Sequence, residues 1–363
     1  MLQGNDRLGD GALRWWEQPW LIVLVVLVSA IPLLYPPIPP LVDLFGHMGR
    51  YRVELDIGQS PWLRDYYGFH WAAIGNLGVD LLVMPLGKLI GLEAAVKLIV
   101  VLIPPMTVAG FLWVAREVHG RIPPTAFFAL PFAYGHPFLF GFVNFALSMA
   151  LAFLAFALWL RLGRLGKTKL RAWLFVPISL IVFFCHTYGW GALGLLCFSA
   201  EAVRQHDRGI PWFKAGWNAA LHASVMALPL IVMLIWRSET HGGTTGDWFN
   251  WKMKWEWVES VLRDRWRLYD IGSTIVAGLA FAFALVSRKL TLSRNLAFSA
   301  IVLLAGFLVL PRIIFGSAYA DMRLVPYMMA VGLLAIRFKA PPAPRLAQAL
   351  AVLGLAFFFV RTA

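Results

Sequence analysis

The run Asp43-Leu44-Phe45-Gly46-His47-Met48-Gly49-Arg50 sets a carboxylate, an imidazole and a guanidinium at i, i+4 and i+7. On a helix that spacing brings all three to one side. Pro39 and Pro40 suit a helix start here, and Asp43 falls in its first turn, where the helix dipole favours a carboxylate. Leu44, Phe45, Met48 and Tyr51 supply an apolar face, so the segment reads as a short amphipathic helix lying on a membrane surface. A carboxylate held there can take a proton from an acceptor hydroxyl as a general base, or ligate a divalent cation together with His47. The sequence requires no metal. The plainer reading has Asp43 cap the helix while His47 and Arg50 reach into lipid headgroups.

Three further groups of polar residues stand beside apolar runs. In Arg64-Asp65-Tyr66-Tyr67-Gly68-Phe69-His70-Trp71 the rings suit an aromatic belt at a membrane interface, which leaves Asp65 and His70 to be explained. Asp80 follows within an apolar run, where an unpaired carboxylate is unfavourable, and Asn76 one turn away is its nearest partner in sequence. From Arg237 to Asp270, Trp251, Trp255, Val258, Leu262 and Trp266 recur at helical spacing and predict a second interfacial helix. The preceding Thr240-His241-Gly242-Gly243-Thr244-Thr245-Gly246 is polar and glycine-rich, suited to a lid over a ligand. It lacks the Lys-Ser/Thr ending and the preceding strand of a phosphate-binding loop. The last group, Pro311-Arg312 to Asp321-Met322-Arg323, offers two arginines for a phosphate leaving group. Its bland alternative is a structural pair of Asp321 with one of them. His136, His186 and Tyr188 read as packing and interface residues.

The elements that must position these groups are membrane helices. Of 363 residues 60% are hydrophobic and 14% charged, against about 25% charged in an average soluble domain. The net charge of +13 lies in short clusters between apolar runs, a pattern that argues against nucleic acid as a partner. Cys185 and Cys197 both lie inside apolar segments and define neither a disulfide framework nor a metal site. The first apolar run ends in Pro36, Pro37, Pro39 and Pro40 without a cleavage site, and is expected to be a retained span.

Eleven spans are expected, near 19–36, 69–90, 93–115, 138–160, 172–188, 189–203, 217–236, 271–287, 295–311, 323–338 and 346–360. The segment 122–137 carries Pro123, Pro124, Pro131 and Pro137 and reads as a re-entrant or interfacial piece. The fold expected is all-α and polytopic, one transmembrane domain over 1–363 without a separate soluble domain. The basic clusters Arg161–Arg171, Arg288–Arg294 and Arg337–Arg345 belong in the cytoplasm, which puts the N-terminus there too. His47, His70, His136, His186 and His241 then gather at the outer face, joined by His119 if the 116–121 loop is also outside. A one-sided gathering of titratable groups suggests a site open to the outer compartment. The chain has no internal repeat, which weakens a transporter reading.

In this arrangement the chain resembles the GT-C superfamily of integral-membrane glycosyltransferases, which use polyprenyl-phosphate-linked sugars as donors. The residues that carry the likeness are Asp43, His47, Arg50 and Tyr51 after the first span, then Tyr66-Tyr67-Gly68-Phe69 leading to the second. It is architectural over the whole chain, and specific in motif from about Pro36 to Asp80. The resemblance implies about a dozen spans and an outer-facing site with Asp43 as catalytic base and His47 beside it. It also implies a donor phosphate held by basic residues of later loops, for which Arg312 and Arg323 are the candidates. Arg50, Asp65, His70, His241 and Asp321 complete the expected substrate-binding set. The acceptor, a glycan, lipid or protein, is not indicated. The family's frequent Asp-Glu pair is here Asp43-Leu44, and its frequent soluble C-terminal domain is absent from this sequence. A lipid or amphiphile transporter and a non-catalytic membrane scaffold are the alternatives. The absence of any Asn-x-Ser/Thr sequon agrees with a bacterial inner membrane and a periplasmic site.

Overall fold

The structure is a computed structural model, and it describes residues 13–235, 243–339 and 344–362. Prolines in their first turns open α1 (Pro19–Val28) and α2 (Ile31–Leu34), which form the first apolar stretch. Then come α3 (Leu44–Asp56), α4 (Pro61–Tyr66), α5 (Gly78–Ile90) and the long α6 (Leu92–His119). A single glycine, Gly91 at φ +86°, reverses the chain between α5 and α6. After a 3₁₀ helix (Pro124–Tyr134) the chain forms α7 (His136–Leu139), α8 (Val143–Arg164), α9 (Thr168–Cys185) and α10 (Thr187–Asp207). Next are α11 (Trp212–Ala223) and α12 (Leu228–Ile235), two stretches meeting at 58°. The remainder comprises α13 (Trp251–Glu259), α14 (Arg267–Val286), β1 (Leu290–Leu292), α15 (Arg294–Val309), α16 (Val325–Leu334), β2 (Ile336–Phe338) and α17 (Pro344–Thr362). The strands β1 and β2 pair antiparallel with Leu290 opposite Phe338.

Among the described residues five helices, α6, α8, α9, α14 and α17, are long and apolar enough to cross a membrane, or six with the bent pair. The central α6 and α8 are 72% and 78% buried over their apolar windows, whereas α14 is 22% buried. Peripheral α9 and α14 turn Trp173, Ile181, Leu279 and Leu285 outward. Faces of that kind lose the drive to fold inward when hydrocarbon replaces water around them. Among the described residues the architecture is all-α apart from one short ribbon and two isolated bridges, and its apolar helices are those of a membrane-embedded protein.

The polar residues collect at two ends of the bundle. The 22 residues of α8 set its termini about 30 Å apart. Asn144 at its start binds the start of α5, and Arg164 at its end pairs with Glu117 of α6 at 2.8 Å. The first is called the site end below, the second the arginine end. Likewise α10 carries His186 and Tyr188 at one end and Glu201, paired with Arg171 and Arg204, at the other.

Three expectations are corrected by this geometry. The stretch 69–90 is not a membrane-length helix. Residues 69–77 are irregular, because Leu77 N–H donates to Phe184 O (2.7 Å) and Thr187 N–H to Gly75 O (2.9 Å). Gly75 and Gly78 allow that approach, since a Cβ on Gly78 would lie 2.8 Å from Cys185 Cα. What remains, α5, has 13 residues and starts at the site end. Second, the loop 116–121 belongs to the arginine end: Glu117 pairs with Arg164, His119 Nε2 lies 2.8 Å from Leu334 O, and Arg121 pairs with Glu17. His119 therefore leaves the outer group. Third, the proline-broken segment does not return to its own side. Thr125 Oγ1 donates to Ile336 O (2.9 Å) near one end, and Tyr134 Oη donates to Ser29 O (2.6 Å) near the other. Its prolines prevent a continuous α ladder, and the tighter 3₁₀ turn runs wholly buried through the bundle.

Candidate functional site

Asp43 is the residue before α3, and its side chain makes no capping hydrogen bond. Its position is set through the backbone, as Asp43 N–H donates to Phe140 O at 2.9 Å and Val42 N–H to Leu139 O at 3.2 Å. The next residue of that turn, Gly141, has φ +100°, and a Cβ there would stand 2.6 Å from Asp43 N. Only glycine combines that backbone with so close an approach. The Asp43 carboxylate is thus held at the site end without being consumed as a cap.

His47 sits one turn on, half-buried, its ring stacked on Tyr51 at 6.3 Å. Burial first, and Arg50 second, hold its imidazole below the usual value against the pull of Asp43 and Asp80. It is neutral near pH 7, and so able to accept a proton or a hydrogen bond. Among the described residues no group of three His, Cys, Asp or Glu side chains could hold a metal ion, so Asp43 and His47 are joined by no third ligand of that kind.

The stripe continues further than Asp43, His47 and Arg50. Glu54, one turn beyond Arg50, completes a buried cluster with Asp80 and Asn144. Arg50 Nη2 lies 2.6 Å from Asp80 Oδ1, and its Nε lies 3.4 Å from Glu54 Oε1. Asn144 Nδ2 donates to Asp80 Oδ2 (2.9 Å) and Asn76 O (3.0 Å), while its Oδ1 accepts from Val79 N–H (2.6 Å). Asp80 and Glu54 are 1% and 7% exposed. One arginine serves two buried carboxyls. Burial, the Asp80 charge and a hydrogen bond with Asp80 raise Glu54 to about 8, against the opposing pull of Arg50. Burial and the neighbouring Asp80 thus favour the protonated form of Glu54 into the neutral range. The partner expected for Asp80, the Asn76 side chain, is replaced by Arg50 and Asn144, because Asn76 precedes α5 rather than lying on it.

The second half of the site comes from the late loops. Asp321 pairs with neither arginine. Its carboxylate meets Lys254 Nζ at 3.2 Å, and that ammonium also donates to Phe307 O (2.6 Å) and Leu310 O (3.0 Å). Lys254 reaches it from α13, where Asn250 caps the first turn. Of the expected interfacial helix the stretch Trp251–Glu259 is helical; Trp251 and Trp255 are exposed on it, Lys254 and Trp257 form its buried face, and beyond it Leu262 is buried and Trp266 exposed. Arg312 pairs with Asp247 at 3.0 Å; this contact, followed by Asn250, holds Asp247 below the usual carboxylate range.

Arg323 is different. It is 8% exposed, and among the described residues no carboxylate lies within ion-pair distance of it. Its guanidinium carbon lies 4.5 Å from the Phe142 ring centroid, 5.8 Å from Phe145 and 5.4 Å from Tyr188. Among the described residues its side chain hydrogen-bonds Ser317 Oγ at 3.5 Å, and its Nε is buried with no hydrogen-bond partner. Aromatic faces stabilise a cation but do not neutralise it. Phe142 directly follows the Phe140-Gly141 turn that carries Asp43, so three consecutive residues join the candidate base to an arginine with no carboxylate partner among the described residues.

Strain is concentrated beside them. Among the described residues the non-glycine positions with positive φ are Asp247, Phe249, Phe315 and Tyr319. All four lie in two loops that pair through Gly246 and Ile313. Tyr319 packs on Phe140 and Trp257, each at 5.6 Å between centroids. Left-handed backbone at non-glycine residues persists where the surroundings enforce it, and such positions gather at functional sites.

Asp65 lies exposed on α4 and His70 exposed beyond it, outside the buried cluster. His241 falls outside the described residues. His186 is tied to its own helix start, accepting from Tyr188 N–H at 3.1 Å. Sequence reasoning missed Glu54, Asn144 and Lys254. The helical stripe signals Glu54, being i+4 from Arg50, and Lys254 is signalled by its register with Trp257 and Val261. Asn144 carries no local signal. Fold and site together define a class, an all-α membrane-embedded protein with ionisable groups packed at one end of its bundle. Compared with known proteins, the chain matches no family model, no curated protein and no solved structure.

Proposed function

We propose that the chain is a GT-C-like membrane glycosyltransferase that moves a hexosyl or pentosyl group from a polyprenyl-phosphate donor to an acceptor hydroxyl. The observation that carries this reading is Arg323: a buried cation with no carboxylate partner among the described residues, linked through Phe142 and the Phe140-Gly141 turn to the backbone that carries Asp43. A buried charge is unfavourable without a counter-charge, and an arginine fork matches a phosphate. In this reaction Asp43 takes the acceptor hydroxyl proton, the oxygen attacks the anomeric carbon, and the bond to the phosphate oxygen breaks. Polyprenyl phosphate leaves with the electron pair, its growing charge met by Arg323, and a single displacement inverts the anomeric centre. Arg312, already paired with Asp247, has an orienting part. The remaining features of the proposal are eleven passes through a bacterial inner membrane, a cytoplasmic N-terminus and a site facing the periplasm.

The test is mass spectrometry of lipids retained through mild purification, together with release of polyprenyl phosphate from a supplied polyprenyl-phosphate sugar. Wild type is expected to retain the lipid phosphate and turn it over. Asp43→Asn should keep the lipid and lose turnover, and Arg323→Gln should lose the lipid. Retained turnover in Asp43→Asn excludes Asp43 as the base. Bulk phospholipid alone in both wild type and Arg323→Gln favours a transporter or scaffold.

A further inference from the structure

The arginine end holds a cleft of about 450 Å³ where α6, α8, α9, α10, α15 and β2 come together. Six arginines line it, Arg164, Arg171, Arg204, Arg208, Arg294 and Arg337, against the three carboxylates of Glu117, Glu201 and Asp207. Each carboxylate is already engaged: Glu117 by Arg164 at 2.8 Å, Glu201 by Arg204 at 2.6 Å and Arg171 at 3.3 Å, and Asp207 by Arg294. Six charges against three leave a surplus of three. Arg208 and Arg337 are both exposed, and among the described residues neither has a carboxylate within ion-pair distance. The floor is rigid, since Arg171 is 2% exposed, stacked 3.9 Å above the Trp159 ring and fastened to Glu201. The first turn of the 16-residue helix α15 also opens on the cleft, and its N-cap Ser293 makes no side-chain capping bond. Its leading N–H groups add positive potential in the same direction.

We infer that this cleft is a second binding site, distinct from the one that holds Asp43, and that it takes a phosphate group between Arg208 and Arg337. Two guanidinium forks over a preformed cationic floor suit a phosphate better than a carboxylate, and a cleft of this size admits a lipid headgroup or a small soluble phosphate. Its distance from the candidate site, most of the length of α8, keeps the two ligands from competing directly.

The experiment uses the full-length protein in neutral detergent, with thermal unfolding followed against added inorganic phosphate, phosphatidylglycerol or phosphatidylcholine, and sodium chloride matching ionic strength. Wild type should show a saturable rise in melting temperature with phosphatidylglycerol, with inorganic phosphate, or with both, and none with phosphatidylcholine or chloride. A rise with phosphatidylglycerol alone assigns a lipid headgroup, and a rise with inorganic phosphate assigns a soluble ligand. In Arg208→Gln/Arg337→Gln the half-saturating concentration should increase by at least about tenfold, the loss of two partly exposed charge-assisted contacts. Both side chains are exposed, so the melting temperature without probe should match wild type. Arg208→Lys/Arg337→Lys, which keeps charge and removes the forks, should fall between. The inference is overturned if no phosphate-bearing probe gives a saturable rise, or if the glutamine pair binds as wild type does.

Discussion

Glu54→Gln probes the buried cluster most directly. Glu54 goes from its ordinary 4.5 to about 8 on folding, burial being the largest cause and Asp80 the next. Between those values the folded chain keeps a proton that the unfolded chain gives up. The folded state therefore binds more protons, and stability falls as pH rises from about 4.5 to about 8, then levels. At 1.36 kcal/mol per pH unit this lowers stability by about 3 kcal/mol at pH 7 and by about 5 kcal/mol above pH 8, relative to pH 4. Glutamine keeps a donor toward Asp80 and has no proton to lose. Thermal unfolding of detergent-purified wild type and Glu54→Gln, at pH 5, 7 and 8.5, reads the difference. The two proteins should nearly coincide at pH 5, and the variant should be the more stable at pH 8.5 by several degrees, given roughly 2 °C per kcal/mol for a chain of this size. The reasoning is refuted if the variant follows the wild-type pH profile in parallel, or if the gap narrows as pH rises.

Three other outcomes follow from the same packing. Asn144→Ala leaves Val79 N–H and one Asp80 oxygen without their partner; it should cost about 3 kcal/mol, measured as a lower unfolding midpoint. Gly141→Ala forces a Cβ against Asp43 N at a φ of +100°. Hydrogen exchange should speed up over Asp43–Arg50 while α8 stays protected, with loss of any Asp43-dependent turnover. Lys254→Met strands Asp321 as a buried charge and should destabilise by about 3–5 kcal/mol in thermal unfolding, and adding Asp321→Asn should recover most of that loss.

Much of the site was legible because helical periodicity is a local property. Asp43, His47 and Arg50 fall on one stripe whatever the helix packs against, and extending the stripe by one turn reaches Glu54. The same logic foresaw α13 from its recurring apolar residues, but gave no sign that an ammonium surrounded by carbonyls and a carboxylate would be buried on its inner face. Asp80 shows the limit from the other side. Its burial could be inferred from the apolar run, but its partners could not, since Arg50 and Asn144 are 30 and 64 residues away in sequence.

By itself the sequence determined that the chain is helical and membrane-embedded, because long apolar runs with few charges leave backbone groups no other place to be satisfied. It also determined the sorting of most polar residues into two groups, through charge clusters at the ends of those runs. Only tertiary structure decided that the proline-rich segment passes through the bundle as a 3₁₀ helix and that 69–77 is irregular. Those outcomes depend on which distant carbonyl or N–H meets each backbone group that an interrupted helix leaves free. Tertiary structure likewise decided that Arg312 and Asp321 find Asp247 and Lys254, while Arg323 finds aromatic rings and the Ser317 hydroxyl but, among the described residues, no carboxylate. Charge pairing acts over a few ångströms of space, and the separation of residues along the chain does not encode that distance.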